Sequence, residues 1–132
     1  MISLDVTSLY TNVPKTLVIS AIRNRWNDIA PNTLFSLDQF IHALEFVIDS
    51  TSFKFDDVYY EQIFGMPMGS PLSPILSDLV MDDLESHCLN SLPFNITTYV
   101  RYVDDIFAIV PKEHINDIVQ CFNNYHTIEI YV

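Results

Sequence analysis

Three carboxylates are the residues of this sequence best suited to do chemistry. Asp104 and Asp105 interrupt the run Tyr99-Val100-Arg101-Tyr102-Val103-Asp104-Asp105-Ile106-Phe107-Ala108-Ile109-Val110, whose other residues are mostly apolar, β-branched or aromatic. The pattern predicts a hairpin with strands near 97–103 and 106–110 and the acid pair at the joint. Favoured two-residue joints are Asn-Gly or Asp-Gly, whereas Asp-Asp sets like charges side by side. A local rule broken inside a consistent segment points first to a functional site. Two carboxylates on a rigid hairpin tip suit a divalent metal ion, which takes hard oxygen ligands. The competing reading is an acidic turn with both side chains in water. The third carboxylate is Asp5. In Ile2-Ser3-Leu4-Asp5-Val6-Thr7, Leu4 and Val6 share one face of a strand and Ser3, Asp5 and Thr7 the other, so a core strand presents the acid. Asp56-Asp57, between Phe53-Lys54-Phe55 and Val58 to Ile63, is an internal comparison and reads as a solvated turn. His42, His87, His114 and His126 are scattered without ligand spacing and read as structural.

The elements that must hold these acids follow from the apolar pattern. Pro14 opens a helix carrying Leu17, Val18, Ala21, Ile22 and Ile29, which Pro31 ends. Ser36 and Gln39 form a capping-box pattern ahead of Phe40, Ile41, Leu44, Val47 and Ile48. Both glycines of the chain fall in Gly65-Met66-Pro67-Met68-Gly69-Ser70-Pro71-Leu72-Ser73-Pro74, where Ser70 is placed to cap and Pro71 to open a long helix reaching about Asn90. Pro111 opens another helix with Ile115, Ile118, Val119 and Phe122 as its stripe, and Thr127 to Val132 reads as a last strand. The first strand begins almost at residue 1, which reads as a chain cut into a domain.

Composition bounds the class. Hydrophobic residues make up 49% and charged residues 17% of 132, which suits one globular domain or part of one. No apolar run approaches the ~20 residues of a membrane span, and Met1 to Asp5 carries no signal-peptide character. Cys88 and Cys121 are too few for a disulfide framework or a zinc site, so an intracellular setting is expected. The net charge is −11, with six Lys plus Arg against 17 Asp plus Glu. Nucleic-acid binders usually carry a basic face, so either nucleic acid is not a partner or the basic surfaces lie outside these residues.

Asp5, the Gly69-Ser70-Pro71 turn and the Asp104-Asp105 pair together resemble, in order and spacing, the palm of a reverse transcriptase. Asp5-Val6-Thr7-Ser8-Leu9-Tyr10 is similar to the family's first palm motif, Met66 to Pro74 to its second, and Tyr102-Val103-Asp104-Asp105 to its third. The wording Leu4-Asp5-Val6-Thr7-Ser8-Leu9-Tyr10-Thr11-Asn12-Val13-Pro14 with Gly65 to Pro74 most resembles Penelope-like retroelements, over essentially the whole chain. Two departures stand out. Met68 occupies a position where many members have Gln, a variation common in Penelope-like sequences. No Lys follows Lys112 in the stretch where the family often has one near the leaving pyrophosphate, and Glu129 lies there.

The resemblance implies an α+β fold: an antiparallel palm sheet of ferredoxin-like β-α-β-β-α-β order, with strands near 2–7, 97–103, 106–110 and 128–132. Helices near 71–90 and 112–125 would cover one face, and residues 14–64 would form a helical and hairpin insertion on the fingers side. It implies that residues 1–132 are a partial reverse transcriptase domain, palm with part of the fingers, without N-terminal fingers and thumb. It implies RNA-directed DNA synthesis from dNTPs with two Mg²⁺ ions, Mn²⁺ being the substitute, on an RNA template and a DNA primer. Asp5, Asp104 and Asp105 would be catalytic metal ligands. Val6, Tyr10, Met68, Gly69 and Ser70 would lie at the nucleotide, Tyr10 as a steric gate under the sugar; a core aromatic and a helix-initiating turn are the competing readings. Arg101 reads as a surface residue within reach of a phosphate. The parent protein would act in the nucleus, with an endonuclease domain as a candidate partner and no membrane. The alternatives are a non-catalytic palm remnant of a degenerate transposon and another palm polymerase, such as a telomerase-like or bacterial reverse transcriptase. The acidic balance fits a palm whose gripping basic surfaces belong to fingers and thumb, and the isolated fragment is expected to be inactive.

Overall fold

Alternation of Ile2, Leu4 and Val6 with Ser3 and Asp5 produces strand β1 (Ile2–Val6), buried on the first set and exposed on the second. The structure is a computed structural model and describes residues 1–125 and 128–131. After β1 come the one-turn helix α1 (Leu9–Asn12), α2 (Lys15–Asn24), α3 (Trp26–Ile29), a 3-10 turn (Ala30–Asn32) and α4 (Leu37–Asp49). The hairpin β2 (Ser52–Phe55) and β3 (Val58–Glu61) precedes the long α5 (Leu72–Ser91). Strands β4 (Thr98–Tyr102) and β5 (Asp105–Ile109), a second 3-10 turn (Lys112–His114), α6 (Ile115–Asn123) and β6 (Ile130–Tyr131) complete the described chain.

The main sheet has the order β4-β5-β1-β6, and every neighbouring pair is antiparallel. With α5 between β1 and β4 and α6 between β5 and β6, this is the expected β-α-β-β-α-β order, and the fold is α+β. Leu4, Val6, Ile106 and Ala108 point to one side and are buried with Val80, Met81, Leu84 and Cys88 of α5 and Ile118 and Phe122 of α6. Each large side chain buried there contributes about 1.5–3 kcal/mol. Ser3, Asp5, Val100, Tyr102, Asp105, Phe107 and Ile109 lie exposed on the other side. The acids therefore sit on an uncovered sheet face whose reverse is pinned by the core.

Two sequence expectations are met in detail. The Ser36 hydroxyl accepts from Gln39 N–H while the Gln39 side chain accepts from Ser36 N–H, completing the capping box. Asp56 and Asp57 form the exposed β2–β3 turn with φ of 49° and 61°, the pair of positive angles a type I′ turn requires.

Other expectations shift. The helix expected to run to Ile29 breaks at Arg25, whose backbone leaves helical angles and whose guanidinium reaches Asp83 of α5 at 2.6 Å. That tertiary ion pair acts where the apolar period alone reads through. After β1 Ser8 adopts φ 45°, the chain turns, and Tyr10 lies in a one-turn helix, α1, that the apolar pattern does not announce. Asn12 donates to the Thr7 carbonyl at 2.9 Å to hold that turn. The β4–β5 joint is Val103-Asp104, so Asp105 is the first residue of β5 rather than half of the turn. β6 covers Ile130–Tyr131, while His126, Thr127 and Val132 lie outside the described residues.

Candidate active site

The acids are set by strand register. Asp5 of β1 and Asp105 of β5 are direct partners across the antiparallel ladder, both exposed on the open face. Tyr131 lies on the other side of Asp5 and Tyr102 on the other side of Asp105, so one row across the sheet reads Tyr131, Asp5, Asp105, Tyr102. Asp104 stands next to this row on the hairpin turn, half-exposed. Its carbonyl accepts from the Val6 N–H at 3.1 Å, which ties the turn to β1. Among the described residues no three Asp, Glu, His or Cys side chains are gathered closely enough to hold a metal ion without further ligands. Asp5, Asp104 and Asp105 thus come together as backbone neighbours rather than as a closed cage. Mg²⁺ suits such an arrangement, because it is usually held by one or two carboxylates with waters and substrate phosphates.

The turn itself is strained. Val103 has φ 59°, in the left-handed region, and among the described residues Asp104 does not share the positive angle. A positive φ at the first central position alone is the φ pattern of a type II′ turn, which prefers Gly there. A β-branched residue in that position is an outlier, with a cost of about 1–3 kcal/mol that persists only where surroundings impose it.

Arg101 lies beneath the turn, on the helix side of β4. Its Nε donates to Glu85 at 2.6 Å, its Nη2 to Asp82 at 3.0 Å, and its Nη1 to Asp78 at 2.7 Å and to the Val103 carbonyl at 3.2 Å. The Arg101 side chain is only 9% exposed. Burial works against its charge, but its hydrogen bonds to the Asp78 and Glu85 carboxylates, with the charge of both, outweigh it and hold the guanidinium above its ordinary value. Arg101 is thus neither a surface residue nor free to meet a phosphate, because three α5 carboxylates already engage it. Tyr99, two residues before Arg101 and on the same side of β4, donates to Glu85 at 2.9 Å. Its phenol is pushed upward, first by burial and then by the Glu85 charge.

The Gly/Pro segment reaches the site through α1. Met66 N–H donates to the Tyr10 carbonyl at 2.6 Å. Gly65 has φ 76°, and a Cβ there would come within 2.6 Å of Thr11 Cα and closer still to its carbonyl oxygen, so only glycine allows this approach. Gln62 donates to the carbonyls of Phe64 and Met66 at 2.8 and 2.9 Å. Neither Gly65 nor Gln62 stood out in the sequence as a positioning residue. Gly65 was legible as one of only two glycines, whereas nothing marked Gln62. Gly69, with φ 87°, faces open space. The Ser70 hydroxyl accepts from Leu72 N–H at 3.3 Å, at the start of α5.

The expected nucleotide residues divide into separate places. Tyr10 lines a cleft of about 260 Å³ with Leu9, Pro74, Ile75, Asp78, Arg101 and Val103. Met68 instead lines a different cleft of about 300 Å³ with Phe53 and Gln62. The Val6 side chain is buried in the core and its N–H donates to the Asp104 carbonyl, so Val6 anchors the turn through its backbone.

The chain belongs to the reverse transcriptase family: the family described as Reverse transcriptase (RNA-dependent DNA polymerase) matches residues 1–128. No curated protein sequence matches the chain. At the level of that family the activity is RNA-directed DNA polymerisation, a nucleotidyl transfer that uses dNTPs, a template and primer, and generally Mg²⁺. No described helix is long and apolar enough to cross a membrane.

Proposed function

We propose that this chain is the palm, with part of the fingers, of a retroelement reverse transcriptase most similar to the Penelope-like group, acting in the nucleus in its parent protein. The observation that carries the reading is the cross-strand pairing of Asp5 with Asp105, with Asp104 tied alongside through Val6 N–H. Two Mg²⁺ ions, when bound, would supply charge neutralisation for nucleotidyl transfer to a primer 3′-hydroxyl. Asp5, Asp104 and Asp105 would hold them and would do little else, because phosphoryl transfer is mostly positioning and charge neutralisation. Tyr10 would bound the sugar, while Met68, Gly69 and Ser70 would lie along the nucleotide and template, with Gly69 leaving room for close approach.

Grip on template and primer would come from elsewhere in the parent protein. Lys15, Arg25, Lys54 and Arg101, four of the six Lys and Arg residues, already face carboxylates. Phosphate contacts dominate nucleic-acid affinity, so the 132-residue chain by itself should hold primer-template weakly and synthesise little or nothing. Fingers, thumb and an endonuclease domain would supply the rest.

The competing reading is a non-catalytic palm remnant of a degenerate transposon. Primer extension by a complete parent protein separates the two. Asp104→Asn should remove nearly all synthesis and leave the melting curve of the fold intact. Equal synthesis by the variant would move catalysis elsewhere, and no synthesis by either protein would favour the remnant.

A further inference from the structure

We propose that Arg101 is a positioning residue for the acidic site, fixing the Val103-Asp104 turn through the Val103 carbonyl while anchored to α5. The inference rests on reading Asp5, Asp104 and Asp105 as metal-binding. The two successive carbonyls of the strained turn are each held by a donor from a different strand. Val6 N–H of β1 holds the Asp104 carbonyl, and Arg101 Nη1 holds the Val103 carbonyl. A turn with an unfavourable φ at a β-branched residue needs such restraint, and the carboxylates of Asp104 and Asp105 follow directly from its geometry.

The anchor is built for direction as well as charge. Asp78, Asp82 and Glu85 fall at helical spacing on one face of α5, and each takes a different nitrogen of the guanidinium. With the Val103 carbonyl, four of the five N–H groups are engaged in a planar fork. A lysine carries its donors on one atom and cannot span these acceptors together. Arg101 also forms part of the wall of the cleft shared by Tyr10 and Val103, so the same side chain borders the proposed nucleotide position with most of its N–H groups already engaged.

The rival role is a simple staple between β4 and α5, and the two roles differ in what they move. The full chain is labelled with ¹⁵N and titrated with Mn²⁺, following the amides of Val103, Asp104 and Asp105, beside a melting curve. Asp82→Asn trims one arm of the network without touching the turn and serves as the control. Arg101→Lys should shift those three amides and weaken the Mn²⁺ broadening about tenfold, as outer-shell changes at metal sites do. Asp82→Asn should do neither. Asp78→Ala, at an exposed side chain, releases Nη1 from its anchor and should shift the same amides even if Arg101→Lys does not fold. Melting losses alike in all variants, with unchanged turn amides and Mn²⁺ broadening, would overturn the proposal and leave Arg101 a staple. If the native chain shows no Mn²⁺ broadening near Asp5 and Asp105, the metal reading fails, and the amide shifts alone decide whether Arg101 sets the turn.

Discussion

Asp5 and Asp105 stand opposite each other across β1 and β5, two like charges in direct cross-strand register. Such a pair destabilises an antiparallel ladder, whereas a mixed pair contributes about 0.2–1 kcal/mol. A bound divalent cation would offset the repulsion. In chelator, Asp105→Asn should therefore raise the stability of the chain by an amount in that range. Mg²⁺ or Mn²⁺ should raise the melting temperature of the native chain and leave the variant unmoved. Urea unfolding with and without metal reads both effects, and a variant less stable than the native chain in chelator would remove the repulsion from the account.

The two glycines separate a structural from a functional demand. Gly65 has backbone of Thr11 where its Cβ would be, while Gly69 has only open space and shares with it just the positive φ. Gly69→Ala should cost about 1–2 kcal/mol, the penalty of a left-handed residue. Gly65→Ala adds a clash with backbone and should cost more, separating the Gly/Pro segment from α1. Denaturant midpoints of the two variants give the order, and equal losses would mean that Thr11 yields freely.

The sheet and its two covering helices were legible because period-2 runs and apolar helical stripes carry them locally. So were the capping box at Ser36 and the Asp56-Asp57 turn. Asp5 and the acid pair were legible as unusual residues in strand contexts, but not their register. That Asp105 pairs with Asp5 while Asp104 occupies the turn depends on hydrogen bonding between strands about a hundred residues apart in sequence. The interior role of Arg101 was hidden for the same reason, since its three partners lie on α5. The break at Arg25 and the one-turn α1 were hidden because both follow from tertiary contacts and from Ser8's left-handed φ, which no local period announces.

Alkaline pH should loosen the seam between α5 and the sheet. Burial, then Cys121, pushes the Cys88 thiol up to about 12 from 9.0. Tyr99 is raised from its ordinary 10.0, again by burial first. A folded-state value above the unfolded one means that the stability is complete below the unfolded value and is lost as pH climbs through the folded one. Melting temperature should hold from neutral pH to about pH 9 and decline toward pH 12. Cys88→Ala and Tyr99→Phe should each flatten that decline even though they lower the starting stability. An unchanged alkaline slope in both would place the titration in other groups.

Tyr10 offers the sharpest test of the nucleotide site. Its backbone carbonyl is occupied by Met66 N–H, and its half-buried ring borders the cleft it shares with Val103 and Ile75. A ring fixed at the edge of a cleft can exclude a 2′-hydroxyl by overlap, and overlap in a packed site is costly. A ring that serves only the core would affect every substrate equally. In a complete parent enzyme, Tyr10→Ala should raise kcat/KM for ribonucleotides relative to matched deoxyribonucleotides, a change in discrimination and not in overall rate. Tyr10→Phe keeps the ring and should keep the discrimination. The melting curve of each variant gives the stability loss separately, so a less stable but still selective Tyr10→Ala enzyme would assign Tyr10 to the core and remove it from the site.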